Sequence, residues 1–281
     1  MKPKISTSDQ QQIDGILASG ICIPSQPVIL QELDKLVNKP GNSLVAIGNL
    51  INKDVGLAAA VFKVVNSSFY MPSSRVESIT KAITIVGLAQ VVNIIKGVSL
   101  HKVLGGQEPA YDKFWERSGE IASLSAIIAG KQISVCNIAA DQAYMAGLFH
   151  ECGVPILMQR FPEYCGTFRL NQGINWPNFR EEDRRFNTDH TVVGYLVARH
   201  WGLPDFICKA VRFHHERLYV GHAALALVSI VQMARHLYNF LHQLPDAEWP
   251  DMRQQIFEEI GLGEEGAQEF EEDVLDTFRQ Q

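Results

Sequence analysis

The sequence contains no apolar run near the roughly 18 residues that a membrane-spanning helix requires. Its first twelve residues, which begin Met-Lys-Pro-Lys, have no apolar core and do not resemble a secretory signal. The five cysteines are dispersed and form no Cys-x-x-Cys pair, which argues against a zinc ribbon and favours reduced thiols. We therefore expect a cytoplasmic protein that does not contact a membrane.

The chain also lacks the excess of basic residues that is typical of nucleic-acid-binding proteins. Its net charge is −6, and residues 246–281 alone contain twelve acidic and two basic side chains. The rest of the chain is close to neutral. A solvated helix face is the simplest interpretation of the acidic tail. This charge distribution predicts no nucleic-acid partner.

Apolar residues recur at helical spacing along most of the 281 residues, and we find no alternating strand pattern of useful length. In residues 79–86 they follow Ile79 at offsets of three, four and seven, and Ser78 before them is a favourable N-cap. Gly87 follows, and residues 88–95 repeat the apolar stripe. Two short helices that meet at one glycine indicate a tight corner. Asp54 is a second predicted N-cap. The fold class predicted is all-α and multi-helical.

Further along the chain, helices are predicted at about 111–131, 139–151, 154–162, 189–200, 204–216, 221–242, 251–260 and 265–279. Residues 105–109 and 243–250 are predicted linkers, because glycine and proline are concentrated there. Residues 166–187 are predicted to form a long loop or a broken helix.

Histidines and one carboxylate fall at or near predicted helix ends in the second half of the chain. Imidazole and carboxylate groups suit divalent Zn, Mn, Fe or Mg, so these residues are candidate metal ligands. Each histidine could equally be a hydrogen-bonded core residue, and only the set as a whole points to a polar cluster. The candidates are His150, Glu151, His190, His214 and His215.

Ten short segments resemble the HDOD domain, a regulatory relative of the HD-type metal-dependent phosphohydrolases that occurs in bacterial signalling proteins. The resemblance covers about residues 24–235, and the Val-Asn-Ser and Trp-Gly-Leu-Pro segments are its most specific parts. The matching residues are 44–47, 54–57, 63–69, 79–87, 114–118, 146–153, 189–190, 193–194, 201–204 and 214–215.

The resemblance implies an N-terminal helical part packed on an HD-like helical core. It also implies a role in signal transduction or gene regulation, without the activity of the HD enzymes and without one common ligand. The expected organisation is an N-terminal segment, the N-terminal helical part, the HD-like core and an acidic C-terminal helical extension, at residues 1–23, 24–108, 109–242 and 243–281.

At two positions where the resemblance implies a metal ligand, this chain has arginine instead. Arg117 stands in place of a histidine, and Arg235 stands in place of a late aspartate that usually follows an alanine. A guanidinium group has no lone pair to give and repels a cation. We therefore expect no metal and no other cofactor, and a cleft for an anion formed by Arg117, His150, His190, His214 and Arg235. Alternatively, each arginine forms a salt bridge with a neighbouring carboxylate, of which Glu151 is the obvious candidate.

Three functions remain open at this point. The first is a non-catalytic signalling module that binds a protein partner or a small anionic ligand. The second is a metal-dependent phosphohydrolase in which the remaining histidines and Glu151 hold one metal ion. The third is DNA binding by the 79–95 corner, with Gln90, Asn93 and Lys96 as base-reading residues, and we regard it as the weakest for an acidic protein.

Overall fold

The structure is a computed structural model that describes residues 20–66, 75–106, 108–173, 176–217, 222 and 224–280. Within these ranges the chain forms α-helices, one 3-10 helix and loops, and no strand. The prediction of an all-α fold is confirmed. Ser67, Ser68 and Phe69 of the Val-Asn-Ser motif, and the chain before residue 20, lie outside the described residues.

Short helices with the predicted caps form the N-terminal part. The Asp54 side chain accepts a hydrogen bond from the Leu57 backbone at 3.1 Å, and the Ser78 side chain accepts one from the Lys81 backbone at 3.1 Å. Each cap satisfies one of the backbone N–H groups that a helix start leaves without a partner. The helices are α1 (Val28–Val37), α2 (Leu44–Asn52), α3 (Val55–Val65), α4 (Ile79–Val86) and α5 (Leu88–Leu104).

The predicted corner at Gly87 is present, and the two helices that meet there are bent by 117°. Gly87 has φ +88° and ψ 151°, a conformation that is open almost only to glycine. Asn93 and Lys96 on α5 are buried, so two of the three suggested base-reading side chains face the protein interior.

No described helix alone is long and apolar enough to cross a membrane, although two strongly bent helix pairs reach the required length and composition together.

The second half of the chain is built around the long helix α6, which packs most extensively against α8. The stretch predicted as a loop or broken helix contains one α-helix (Phe179–Phe186), a 3-10 helix (Leu170–Gln172) and the end of a short α-helix that begins at Tyr164. The α-helices are α6 (Pro109–Lys131), α7 (Ile133–Cys136), α8 (Ala140–Phe149), α9 (Val154–Arg160), α10 (Tyr164–Thr167), α11 (Phe179–Phe186), α12 (His190–His200), α13 (Asp205–Phe213), α14 (Leu225–Leu241), α15 (Trp249–Ile260) and α16 (Glu264–Arg279).

Two large hydrophobic clusters hold these helices together. One begins in the N-terminal helices and continues into the second half of the chain, where it includes Phe149 and Trp201. The other joins α6 and α8 to α14, α15 and α16, with Ile230, Phe257 and Val274 among its fully or almost fully buried members. The acidic C-terminal extension therefore contributes an apolar face to the interior, and its charged residues lie mainly on the outer face.

The Trp-Gly-Leu-Pro segment connects the second half of the chain to the N-terminal part. The buried Trp201 donates its indole N–H to the Pro24 carbonyl at 2.9 Å. The Gly202 carbonyl accepts a hydrogen bond of 3.0 Å from Lys96, whose ammonium also lies 3.6 Å from Asp34. These contacts attach the segment to the N-terminal part of the chain.

Candidate functional site

Three helix ends bring the predicted candidate ligands together. His150 ends α8 and Glu151 follows it, His190 begins α12, and His214 and His215 lie at the end of α13. All five side chains are buried, and we refer to them as the histidine cluster. The ring centroids of His150 and His214 are 5.0 Å apart, and those of His190 and His215 are also 5.0 Å apart.

A close backbone approach at Gly153 allows these helix ends to meet. A Cβ atom at Gly153 would lie 2.1 Å from the His190 carbonyl oxygen and 2.7 Å from the Gly194 backbone nitrogen. No side chain fits at such distances. The turn that carries His150 and Glu151 can therefore pack directly against the start of α12.

Two imidazole rings are oriented by backbone carbonyls of their own helices. His150 donates its Nδ1–H to the Gly147 carbonyl at 2.6 Å, and His214 donates its Nδ1–H to the Val211 carbonyl at 2.9 Å. A carbonyl oxygen only accepts, so the proton of each neutral ring lies on Nδ1. The lone pair is therefore on Nε2, the nitrogen that faces the cluster.

The His190 ring is oriented by Glu182, which is fully buried on α11. One Glu182 oxygen accepts from His190 Nδ1 at 2.6 Å and from the His190 backbone N–H at 3.0 Å. The other accepts from the Tyr164 hydroxyl. Burial opposes protonation of His190, but the charge of Glu182 and its hydrogen bond outweigh this and raise the pKa of His190.

The His215 ring is oriented by Glu248, which belongs to the C-terminal extension. Its carboxylate accepts from His215 Nδ1 at 2.7–2.8 Å and from the Arg235 guanidinium at 3.2 Å. Histidine rings held through Nδ1 by carboxylates or carbonyls are characteristic of metal sites, because the arrangement fixes the tautomer and makes the ligand more basic.

The Nε2 atoms converge at the centre of the cluster. His190 Nε2 lies 3.0 Å from His215 Nε2 and 3.3 Å from His214 Nε2. With a Glu151 oxygen, the ligand atoms of these three histidines all lie within 4.8 Å of one another. Lone pairs at this separation repel unless a proton or a cation lies among them.

The chemistry of the donor set fits a divalent metal ion. Three imidazole nitrogens and one carboxylate oxygen suit Zn, Mn, Fe or Ni, and tetrahedral sites use four such ligands. His150 Nε2 and Glu151 Oε1 are buried and have no hydrogen-bond partner among the described residues. Buried polar atoms without a partner are rare, so they support a missing group at this place.

Both arginines lie at the cluster, and each pairs with a carboxylate. Arg117 donates to the second oxygen of Glu151 in an ion pair whose two side chains are each 1% exposed. The predicted alternative of a salt bridge to Glu151 is therefore present. Arg235 pairs with Glu248 and also contacts the His214 carbonyl at 3.4 Å.

The electrostatics of the cluster follow from these pairs. Burial disfavours the Glu151 carboxylate, but Arg117, with smaller contributions from His150 and Arg235, holds its pKa at about 2. Burial lowers the pKa of His150 to about 3 and is only partly opposed by Glu151, so this ring is neutral at pH 7. Burial and neighbouring cationic groups also hold the pKa values of His214 and His215 well below their usual range.

A cleft of 290 Å³ leads to the edge of the cluster. Arg117, Arg235 and His215 line it, whereas His150, His190 and His214 are not among its described lining residues. Trp176 stacks on the Arg117 guanidinium at 4.5 Å. The lining contains three arginines and three carboxylates, so its formal charges balance.

Sequence reasoning did not identify the residues that orient the cluster. Glu182 lies in the stretch predicted as a loop or broken helix, although Asn178 and the Phe179–Phe186 spacing could have indicated α11. Glu248 lies in a predicted linker between two prolines, and no local pattern marks it. Both reach the cluster only through tertiary packing.

The chain matches a known protein family over most of its length. The model of the HDOD domain matches residues 23–217. An uncharacterised protein of Treponema pallidum (strain Nichols) is 26% identical over 251 residues, which is 88% of this chain. The chain spans 46% of that relative's length, about half.

Several solved structures have a similar fold. A candidate metal-dependent phosphohydrolase of Shewanella amazonensis SB2B has a TM-score of 0.69 at 18% identity, and the similarity covers 92% of this chain and 91% of the other. A candidate signal transduction protein of Marinobacter aquaeolei VT8 has a TM-score of 0.69 at 21% identity, over 97% and 64%. An HDOD domain protein of unknown function from Geobacter sulfurreducens has a TM-score of 0.62 at 23% identity, over 96% and 98%.

Proposed function

Since this chain belongs to the HDOD domain family, we propose that it is a regulatory signal-transduction module that does not hydrolyse phosphate esters. The buried ion pair between Arg117 and Glu151 is the observation that carries the proposal. Glu151 is the only carboxylate among the four ligands of the candidate metal site. The ion pair engages one of its oxygens and neutralises its charge.

The charges around the cluster argue against catalysis. Hydrolysis by a bound metal ion requires ligands that stabilise the cation and leave room for water and substrate. Here Arg117 and Arg235 add positive charge beside the ligand atoms, and Arg117 stands where the family resemblance implies a ligand histidine. Removing the Arg117 guanidinium would leave the buried Glu151 carboxylate without its charged partner, which is costly.

The module would act by binding a protein partner or a small anionic ligand. The 290 Å³ cleft presents Arg117, Arg235 and His215, although an anion would have to displace Glu248 from Arg235. Contact with nucleic acid is not part of the proposal, because the chain is acidic and the suggested reading helix is largely buried.

A hydrolysis assay tests the proposal. Phosphomonoesters and cyclic nucleotides would be incubated with the protein and Mn²⁺, Mg²⁺, Zn²⁺ or Ni²⁺, with His150→Ala and His200→Ala measured in parallel. We expect no turnover by the native protein above that of His150→Ala. Turnover that is lost in His150→Ala and kept in His200→Ala, a change of an exposed histidine on α12, would reject the proposal.

The convergence of three Nε2 atoms favours a second candidate function, a metal-dependent phosphohydrolase. His190, His214, His215 and Glu151 would hold the ion, and a bound divalent metal would supply Lewis acidity. Glu182 and Glu248 would keep the rings in the ligand tautomer.

Elemental analysis of protein purified without chelator distinguishes the two functions when it is combined with the assay. Metal without turnover supports the regulatory module, and metal with turnover supports the enzyme.

A further inference from the structure

A second cavity, separate from the histidine cluster, lies where the N-terminal helices meet the second half of the chain. Its volume is 570 Å³, within the range of pockets for small molecules. Helices α3 and α5 form one side, and α6 and α8 form the other. Trp115 and Leu148 in its lining are each two residues before a member of the site, Arg117 and His150 respectively.

Most of the cavity wall is apolar. Ile94, Val98, Met145 and Leu148 are among the residues that form it. Trp115 adds an aromatic face and stacks on His101 with ring centroids 4.4 Å apart. Such a wall favours a ligand with an apolar body, because removing apolar surface from water is favourable.

Several polar groups of the described lining can both donate and accept hydrogen bonds, but its formal charge is of one sign. Lys63 contributes an ammonium group, and no carboxylate side chain occurs among the described lining residues. The indole N–H of Trp115 is buried and has no hydrogen-bond partner among the described residues. A buried donor without an acceptor is costly, so an acceptor supplied by a ligand would be stabilising. Together these groups complement a negatively charged acceptor.

We propose that this cavity binds a small apolar monocarboxylate, such as a medium-chain fatty acid, with the carboxylate held by the donors of the lining. The apolar body fits the aliphatic wall, and the single negative charge matches the single cationic side chain. A ligand in this position contacts both halves of the chain and the two helices that lead to the histidine cluster. The inference does not depend on the function proposed for that cluster.

Isothermal titration calorimetry with three probes tests the charge requirement. The probes are decanoate, decanol and decylammonium, each below its micelle concentration, which share an apolar chain and differ in the head group. We expect the native protein to bind decanoate most tightly, because the cavity offers donors and a cation. Absence of decanoate binding, or equal binding of decylammonium, would overturn the proposal.

Matched substitutions locate the site. Ala60 lines the cavity and Ala59 is exposed beside it, so Ala60→Phe should weaken decanoate binding by about tenfold or more, while Ala59→Phe should not. Lys63→Gln should weaken decanoate binding by about three- to tenfold and leave decanol unaffected, because an exposed charge contributes modestly. Lys39→Gln, at an exposed position elsewhere, should change neither.

Circular dichroism melts of each variant establish that it is folded. Should Ala60→Phe fail to fold, Lys63→Gln and Trp115→Phe still decide the question, since Trp115→Phe removes the indole N–H but keeps an aromatic ring. Decanoate binding of native strength in both of these variants would place the ligand elsewhere and refute the assignment.

Discussion

The Glu182 carboxylate accepts three hydrogen bonds in the protein interior, one from Tyr164 and two from His190. It thereby fixes the side chain and the backbone at the start of α12, where the histidine cluster is formed. Buried carboxylates persist in proteins when their lone pairs are satisfied in this way. At the scale of single residues, the cluster therefore depends on a residue that touches none of the predicted ligands except His190.

We predict that Glu182→Gln lowers the free energy of unfolding by about 2–3 kcal/mol, because the hydrogen bonds from Tyr164 and His190 lose the negative charge of their acceptor. Glu181→Gln, next to it and partly exposed, should cost less than about 1 kcal/mol. Urea denaturation of both variants measures the difference. Equal stabilities would show that Glu182 has no special role.

The position of Arg117 leads to a second prediction at this scale. Arg117→His replaces a guanidinium by a neutral donor at the place where the family resemblance implies a ligand, so uptake of Mn²⁺ or Zn²⁺ should increase. Arg185→His, an exposed arginine on α11, is the control. Elemental analysis after metal loading gives the stoichiometry. Uptake no greater than that of the native protein would contradict the view that Arg117 weakens metal binding.

At the scale of helices, local sequence signals worked where a helix is defined by its own caps. Asp54 and Ser78 cap helices, and Gly87 forms the corner, at the positions predicted for them, because caps and tight corners are properties of a few adjacent residues. Helix α11 lies in the stretch predicted as a long loop or a broken helix, and its own sequence signal is weak because it is only eight residues long and strongly charged. Its position depends on Glu182 and Phe186 packing into the interior.

We predict that Trp201→Phe weakens the attachment of the N-terminal segment near Pro24 to the second half of the chain. The substitution removes the hydrogen bond to Pro24 and leaves space in a buried site, which should cost about 1–3 kcal/mol. Limited proteolysis near residues 20–27 should become faster, whereas Trp249→Phe in α15 should not affect it. Unchanged proteolysis in this region would show that the contact is dispensable.

For the whole molecule, the sequence predicted the all-α class and the residues of the histidine cluster, because both leave local signals such as apolar spacing and histidines at helix ends. It did not predict Glu182 and Glu248 as partners of those histidines. These contacts join residues from different helices, and only the packed fold sets their distances. The Arg117–Glu151 pair was anticipated because both residues fell at implied ligand positions.

The buried neutral histidines make the stability of the whole chain depend on pH. His150 has a folded pKa of about 3, below its ordinary value, so the unfolded state takes up a proton first as the pH falls. The stabilisation that neutral His150 gives to the folded state is fully present above about pH 6.5. It falls by about 1.4 kcal/mol for each pH unit between pH 6.5 and 3. His214 and His215 act in the same direction. His190, whose pKa is raised, adds stability that is present below pH 6.5 and lost at higher pH.

Chemical denaturation of chelator-treated protein between pH 7.5 and 5 should therefore show a steep loss of stability in acid. The slope should be shallower for His150→Gln by about 1.4 kcal/mol per pH unit at most. His200→Gln, which changes an exposed histidine, serves as the comparison. A slope that is the same in both variants would mean that His150 is not the neutral buried base described here.

The carboxylate that orients His215 comes from residue 248, thirty-one positions beyond the segment matched by the family model. A shortened protein that ended at residue 217 would retain every histidine of the cluster and yet lose the group that sets one of their tautomers. Relatives with the same histidines can accordingly differ in metal affinity through whatever sequence follows the shared segment. Alignments trimmed to that segment would not reveal this difference.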